Sequence, residues 1–202
     1  EHDLESTEEV DLKNLVGRVL AQPVISTINI PIFDNSAMDG YGVRSCDVTT
    51  ASPENPIQLP VQATIKAGDF LKEELLPNHA VRIYTGAPIP QGVDAICMKE
   101  DCDNHESTVA IKKTPQPNDH IRHKGEEFQV GKTVLSAGML ITPPVVGLLA
   151  TLGHAKVMVY KQPFVHVVTT GTELCEPGNT LAEGHIYDSN SYALEAALNS
   201  LR

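Results

Sequence analysis

The chain has 202 residues, with 26 acidic against 15 basic side chains and a formal net charge of −11. Because a phosphate backbone favours a net-basic surface, this charge argues against nucleic acid as the main partner. Apolar residues make up 41% of the sequence, which is typical of a globular protein, and no apolar run reaches the roughly 18 residues of a membrane span. The sequence shows no signal peptide, and its four cysteines form no CxxC pair. We therefore expect a cytoplasmic protein with reduced thiols that binds no membrane.

The first segment of the sequence carries a helical pattern. Apolar residues recur at helical spacing in Thr7–Ala21, Thr7 can serve as the N-cap, and Pro23 stops a helix. These signals predict an amphipathic helix. The following stretch, Val24–Val43, is β-like but interrupted by proline and a candidate turn.

Between residues 47 and 131, short apolar runs alternate with clusters of Pro, Gly, Asn and Asp. Strands of this length and spacing predict a small β-rich module, such as a barrel. We expect this module to be inserted into a larger domain, because the elements on either side of it belong together. The predicted strands are Val61–Ile65, Ala80–Tyr84, Ala95–Met98 and Val109–Ile111.

The last third of the sequence predicts α/β structure. Thr142-Pro143 opens a helix, since Thr is a common N-cap and Pro fits the first helical position. Strands are predicted at Lys156–Tyr160 and Phe164–Thr169, and a final helix follows Asp188-Ser189-Asn190. A single strand-and-helix pair leaves a parallel sheet unfinished. We therefore expect a fragment of a longer protein; the alternatives are a domain completed by another chain and an irregularly packed end.

Two polar clusters lie in the first half of the chain. PIFDNSAMDGYGVR, residues 31–44, places two carboxylates, an amide, a hydroxyl and an arginine around a candidate turn. Either Asx side chains cap a plain hairpin here, or the cluster is a site. TGAPIPQG, residues 85–92, is a rigid loop that can hold an anion or serve only as a turn.

Two further clusters follow. RHKGEE, residues 122–127, is either a self-neutralising surface turn or an oxyanion clamp with a carboxylate for Mg²⁺. TTGTEL, residues 169–174, follows a predicted parallel strand, where α/β domains bind ligands, but a plain connection has the same pattern. IYDSN, residues 186–190, is typical of a helix-capping turn. The residues alone leave these alternatives open.

Taken in order, the four clusters resemble one family. The segments PIFDNSAMDGYGVR, RIYTGAPIPQGVDAI, NDHIRHKGEEF and VVTTGTELCEPGNTLAEGHIYDSNSYAL are similar to the molybdopterin molybdenumtransferases, the MoeA-type molybdenum insertases related to the gephyrin E domain. The similarity covers the whole chain, which corresponds to the N-terminal portion of such a protein. Four collinear motifs favour a site over a plain hairpin in the first cluster.

The resemblance implies an α+β multidomain fold. Residues 1–46 and 132–163 are expected to form an elongated, segmented domain, and residues 47–131 an inserted β-rich, barrel-like domain. Residues 164–202 are expected to begin a molybdopterin-binding α/β domain that is truncated after its first strand and helix.

The resemblance also implies an activity in molybdenum cofactor biosynthesis. Family members insert molybdenum from molybdate into adenylylated molybdopterin and release AMP, with Mg²⁺ as cofactor. They act as homodimers, and a MogA-type adenylyltransferase and molybdoenzymes are candidate partners. We expect the parent protein to be this transferase and the isolated chain to be inactive alone. The alternative is a gephyrin-like oligomerisation or scaffold module without catalysis, for which the predicted first helix offers an apolar face.

Motif positions carry the family's functional residues over to this sequence. Asp39, Thr85 and Glu173 are the predicted catalytic residues, and Glu127 together with Asp39 is predicted to bind the metal. The predicted cofactor-binding residues are Arg122, Ser36, Gly171 and Asp188. The sequence has GEE, TGTEL and GYGVR where the family pattern is GED, TGDEL and GYAVR. The first departure lengthens the Glu127 side chain by one methylene, which matters because Mg²⁺ tolerates misplaced ligands poorly.

Overall fold

The computed structural model describes residues 6–105 and 107–201. Their regular structure is mostly β-strand, with two α-helices. They divide into two compact units: unit 1 comprises residues 6–24 and 133–201, and unit 2 comprises residues 25–132. Neither of the two described helices has the length and apolar character needed to cross a membrane.

The elements are short and are numbered here in chain order. The strands are β1 (Thr7–Asp11), β2 (Val24–Ile25), β3 (Asn35–Ser36), β4 (Gly40–Val43), β5 (Ile57–Ile65), β6 (Ala80–Ile83), β7 (Ala95–Met98), β8 (Cys102–Asn104), β9 (Thr108–Ile111), β10 (Ile121–Arg122), β11 (Thr133–Leu135), β12 (Lys156–Tyr160), β13 (Leu174–Cys175) and β14 (Ile186–Tyr187). The helices are α1 (Pro143–Thr151) and α2 (Asn190–Ser200).

A curled six-stranded sheet with the order β7-β4-β6-β5-β9-β8 organises unit 2. Strand β5 is the longest and belongs to two ladders. Its first half pairs antiparallel with β9, and after an irregularity between Val61 and Ala63 its second half pairs parallel with β6. Because a bulge bends a strand and increases its twist, this irregularity curls the sheet into a half-barrel. The predicted strands of this region are confirmed, with β7 matching Ala95–Met98.

Both faces of β4, which lies between β7 and β6 in the sheet, are covered, since all four of its residues are buried. Tyr41 and Val43 pack on one face with Leu59, and Val81 and Ile83 pack in a second cluster. This alternation follows from the period of two along a strand. Strand β4 therefore forms a rigid base for the residues that precede it in the first polar cluster.

The two ends of unit 2 are hydrogen-bonded to each other. The backbone N–H of Ser26 donates to the carbonyl oxygen of Lys132 at 2.9 Å, and the N–H of Gly131 donates to the carbonyl oxygen of Ser26 at 2.8 Å. Gly131 has a φ of 83°, a left-handed conformation that costs a glycine little. Unit 2 is thus closed at the point where the chain enters and leaves it.

The prediction of a helix over Thr7–Ala21 is wrong. In unit 1, Thr7–Asp11 forms β1, which pairs antiparallel with all five residues of β12, and a 3₁₀ turn follows at Leu12–Asn14. Gly17 then adopts a φ of 83°, which an α-helix cannot contain. The predicted strand Lys156–Tyr160 is confirmed as β12, and β1 is the partner that satisfies its ladder.

Helix α1 begins where the sequence predicts. Thr142 is its N-cap residue, although its side chain makes no capping hydrogen bond, and Pro143 occupies the first turn. Gly153 follows the helix with a φ of 83°, as a C-terminal cap requires. Leu149 is fully buried and anchors the helix in unit 1 together with Leu152.

The predicted strand Phe164–Thr169 is wrong, because the described chain has no regular structure there. Phe164 is 75% exposed and Val168 78% exposed, and no described strand pairs with the segment. Two short parallel strands, β13 and β14, follow it and bring Leu174 opposite Ile186. The predicted final helix is confirmed as α2.

Candidate functional site

Asp39 and Thr85, from two different polar clusters, are hydrogen-bonded to each other in unit 2. The backbone N–H of Thr85 donates to Asp39 Oδ1 at 2.9 Å, and the Thr85 hydroxyl donates to the same oxygen at 2.7 Å. These two bonds, and more weakly the charge of Lys99, hold the pKa of Asp39 below its ordinary value. The Asp39 carboxylate is therefore ionised and fixed in orientation.

Backbone pairing around Ser36 joins three of the predicted clusters. The N–H of Ser36 donates to the carbonyl of Ala87 at 3.0 Å, and the N–H of Gly86 donates to the carbonyl of Ser36 at 2.8 Å. On the other side β3 pairs antiparallel with β10, so that Ser36 faces Ile121 and Asn35 faces Arg122. The clusters of residues 31–44, 85–92 and 122–127 are thus brought together, as a shared site requires.

Asp34 links the same three clusters by different atoms. Its carboxylate accepts the backbone N–H of Lys124 at 2.7 Å and lies 3.5 Å from the His123 ring, while its carbonyl accepts the N–H of Ile89 at 2.9 Å. Sequence reasoning did not select Asp34 as a site residue, although it lies in the first cluster. An acidic side chain that supports two loops gives no signal of its own in a single sequence.

The predicted cofactor-binding residues of unit 2 differ in exposure. Arg122 is exposed on β10, where its guanidinium is accessible to a ligand. Ser36 is fully buried, and its hydroxyl donates to the carbonyl of Met38 at 2.6 Å. Ser36 therefore shapes the loop that leads to Asp39.

The predicted metal carboxylates are not part of a preformed metal cage. Glu127 is exposed, and its backbone N–H donates to the carbonyl of Ile30 at 2.9 Å. Over residues 6–105 and 107–201, no three His, Cys, Asp or Glu side chains are grouped so that they could hold a metal ion. Mg²⁺ commonly binds one or two carboxylates together with water and substrate phosphates. The ionised Asp39 fits that mode of binding.

The predicted site residues of unit 1 form a second group. The Thr169 hydroxyl donates to Asp188 Oδ2 at 2.6 Å, and Asp188 Oδ1 accepts backbone N–H groups at the start of α2. These hydrogen bonds lower the pKa of Asp188, the Thr169 bond most strongly. The Glu173 carboxylate folds back over Gly171, where an added Cβ would lie 2.7 Å from its oxygens.

A cleft of about 310 Å³ opens beside Asp39 in unit 2. Arg82, Tyr84 and Lys99 line it, and none of them was predicted from the sequence. The Arg82 guanidinium carbon lies 5.6 Å from the centre of the Tyr84 ring, at the distance of a cation–π contact. An ionised carboxylate and two cations therefore line one cleft, a composition suited to a small charged ligand.

Comparisons with known proteins identify the family of this chain. Residues 2–153 match a family profile described as the MoeA N-terminal region (domain I and II). Molybdopterin molybdenumtransferase 2 of Mycobacterium tuberculosis is 46% identical over 189 residues, which cover 94% of this chain and 47% of that protein. The molybdopterin molybdenumtransferase of Haemophilus influenzae is 42% identical over 196 residues, covering 96% of this chain and 47% of that protein.

A solved structure is similar to this chain over nearly its whole length. The molybdopterin biosynthesis moeA protein of Pyrococcus horikoshii OT3 superposes with a TM-score of 0.88 at 36% identity, over 96% of this chain and 52% of that one. The chain belongs to the MoeA family and matches its N-terminal region. It spans about half the length of the curated relatives that it matches.

Proposed function

We propose that the protein containing this chain inserts molybdenum from molybdate into adenylylated molybdopterin and releases AMP. Relatives that are 42–46% identical to it over the aligned region, which is 47% of their own length, are named molybdopterin molybdenumtransferases. The observation that carries the proposal is the Asp39 carboxylate, held by both donors of Thr85 beside an open cleft. A scaffold has no need of an ionised carboxylate oriented in this way.

Asp39 is proposed to act through its charge. Its lowered pKa keeps it ionised at neutral pH, and its position beside the cleft makes it accessible to a cation. When bound, Mg²⁺ would neutralise phosphate charge as the bond to AMP breaks. Thr85 orients the carboxylate, and Glu127 is the second proposed carboxylate on the metal or adenylate side.

The remaining site residues are proposed to bind the substrate. Arg122 offers an exposed guanidinium to an anionic group, and Ser36 acts by shaping the loop before Asp39. Glu173, Gly171 and Asp188 are proposed to contact molybdopterin from unit 1. The hydrogen bonds that Asp188 accepts from Thr169 and from the start of α2 fix its carboxylate, which supports this role for Asp188.

The finer organisation of the protein is also proposed. We propose a segmented domain that encloses a β-rich domain and is followed by residues 164–202, with the first boundary at residue 24 instead of the expected 46, because β4 belongs to the sheet of unit 2. We also propose a homodimeric assembly and a cytoplasmic setting. The four cysteines are free thiols, in keeping with a reducing compartment. The apolar face named for the gephyrin-like scaffold alternative was a helix over Thr7–Ala21, and because β1 lies there, we propose no second function.

The test is an AMP-release assay on the native protein, whose intact mass is measured first. Adenylylated molybdopterin, molybdate and Mg²⁺ are supplied, and Asp39→Asn is compared with Asp69→Asn. Asp69 is a matched control, since its carboxylate also accepts a backbone N–H in unit 2. We expect Asp39→Asn to lower AMP release by about 100-fold or more and Asp69→Asn to leave it unchanged. Molybdate-independent release, or equal activity of the two variants, would contradict the proposal.

A further inference from the structure

The cleft beside Asp39 lies at the end of one face of the sheet. In the β4–β6 pair Tyr41 is opposite Arg82, and in the β4–β7 pair Tyr41 is opposite Cys97. Because side chains alternate along a strand, residues two positions further on lie on the same face. Extending both registers by one residue pair places Tyr84 opposite Asp39 on the β6 side and Lys99 opposite Asp39 on the β7 side. A hydrogen bond of 3.1 Å from the Lys99 N–H to the Asp39 carbonyl supports this register.

This end of the sheet concentrates positive charge in an acidic chain. Arg82 and Lys99 line the cleft with a single carboxylate, that of Asp39, so its formal charge is positive although the whole chain carries −11. Among the ion pairs of the described residues, Arg82 takes part in none. Within the described part of the chain, the ion pair that Lys99 forms is with Glu100, at 4.0 Å, and both side chains are more than 60% exposed. Such an exposed pair contributes little, so both cations are available to a ligand.

The side chain of Arg82 is oriented before any ligand binds. Its guanidinium lies against the Tyr84 ring, and the ring of Tyr41 beside it is buried and donates its hydroxyl to Asn104 Oδ1 at 2.7 Å. Burial raises the pKa of Tyr41, so its hydroxyl stays a neutral donor. A guanidinium held near an aromatic ring still presents its N–H edge, which matches the oxygens of a tetrahedral anion.

We propose that Arg82 and Lys99 form an oxyanion-binding subsite next to Asp39. The inference rests on the proposed function, because both substrates of that reaction carry a tetrahedral oxyanion. One is the phosphate of the adenylyl group and the other is molybdate. The subsite places either anion beside the carboxylate that is proposed to hold Mg²⁺, and the two cations offset the repulsion from Asp39.

Calorimetric titration of the native protein, with its full chain, tests the subsite without any turnover. The probes are AMP, sodium molybdate and adenosine, the last as a ligand without an oxyanion. We compare Arg82→Gln and Lys99→Gln with Lys156→Gln. Lys156 is a matched control, since it is an exposed lysine of unit 1 that also lies near one glutamate, 3.8 Å from Glu9. Arg82→Lys is included in case Arg82→Gln does not fold, because it keeps the charge and loses the planar fork.

We expect Arg82→Gln to weaken binding of AMP or of molybdate by about tenfold or more, and Lys99→Gln by a few-fold. Lys156→Gln should bind as the wild type does. Weakened AMP binding assigns the subsite to the adenylyl phosphate, and weakened molybdate binding assigns it to molybdate.

Two results would overturn the subsite. One is that neither oxyanion binds the wild-type native protein, and the other is that the Arg82→Gln, Arg82→Lys and Lys99→Gln variants bind both as tightly as the wild type. Either result leaves the proposed function standing if the native protein still releases AMP and Asp39→Asn does not. Loss of the proposed function is seen separately, as absence of molybdate-dependent AMP release from the native protein.

Discussion

Replacing Gly40 with alanine would force strands β4 and β7 apart. An added Cβ would lie 2.0 Å from the backbone carbonyl oxygen of Cys97 and 2.9 Å from its carbonyl carbon. Real Cβ atoms essentially never come closer than 3.0 Å to another atom, so the strands must separate by about 1 Å. Backbone atoms cannot rotate out of the way as a side chain can, and the separation also displaces the neighbouring Asp39.

The expected loss of stability follows from that separation. Forcing extra atoms into a packed site costs about 1–3 kcal/mol, and a ladder hydrogen bond stretched out of range gives up about 1 kcal/mol more. We expect Gly40→Ala to lower the free energy of unfolding by about 3 kcal/mol. Gly42→Ala should cost about 1 kcal/mol, because its Cβ would meet movable side chains of Val81 and Val93 at 2.9 and 3.0 Å.

Urea unfolding followed by circular dichroism measures this series. Gly147→Ala serves as the control, because an added Cβ there meets nothing within 4 Å. In helix α1 this change should raise the free energy of unfolding by about 0.5–1 kcal/mol. Equal midpoints for the Gly40 and Gly42 variants, at an unchanged urea dependence, would refute the steric reasoning.

Three further predictions concern the site and the core. Thr85→Val removes one donor and keeps the backbone N–H, so the pKa of Asp39 should rise toward 3.8 without reaching it in an NMR titration. Asp188→Ala should speed amide exchange in α2 at neutral pH and have less effect in acid. The pKa of Asp188 is lowered, so its ionised form stabilises the fold, and this contribution disappears as the pH falls through that pKa. Leu149→Ala should cost about 3 kcal/mol in urea unfolding and the exposed Leu194→Ala less than about 0.5 kcal/mol; equal losses would contradict the assigned burial.

The strands of unit 2 could be predicted because local signals suffice there. Ala95–Met98 and Val109–Ile111 are short apolar runs between turn residues, and the strands that contain them are each buried at three of their four positions. Such runs have few alternatives to a strand when Pro and Gly limit their length. The order of these strands in the sheet could not be predicted, because pairing partners leave no mark in a single sequence.

The error at the N-terminus has a physical cause. The apolar spacing of Thr7–Ala21 fits a helix, but β12 offers a complete row of unpaired backbone groups, and β1 satisfies them over five residues. Pairing with a distant strand outweighs a weak helical preference, since propensity is a small term beside tertiary hydrogen bonds and burial. For Phe164–Thr169 the pattern was that of a strand, but the described chain supplies no partner.

The candidate site was only partly readable from the sequence. Motif positions selected Asp39 and Thr85, and the structure shows them hydrogen-bonded to each other. Arg82 and Lys99 lie beside them only because of the register of β6 and β7 on β4. Two cations far apart in sequence give no sign that they share a cleft.

The hydrogen bonds between Ser26 and the 131–132 segment bear on how the protein emerges from the ribosome. Everything needed to close unit 2 has been synthesised once Lys132 leaves the exit tunnel, so this unit can fold during translation. Strand β1 is made first but must wait for β12, on the far side of unit 2 in the sequence. A chain stalled between Lys132 and Lys156 would therefore carry a finished unit 2 and an unpaired, aggregation-prone β1 edge.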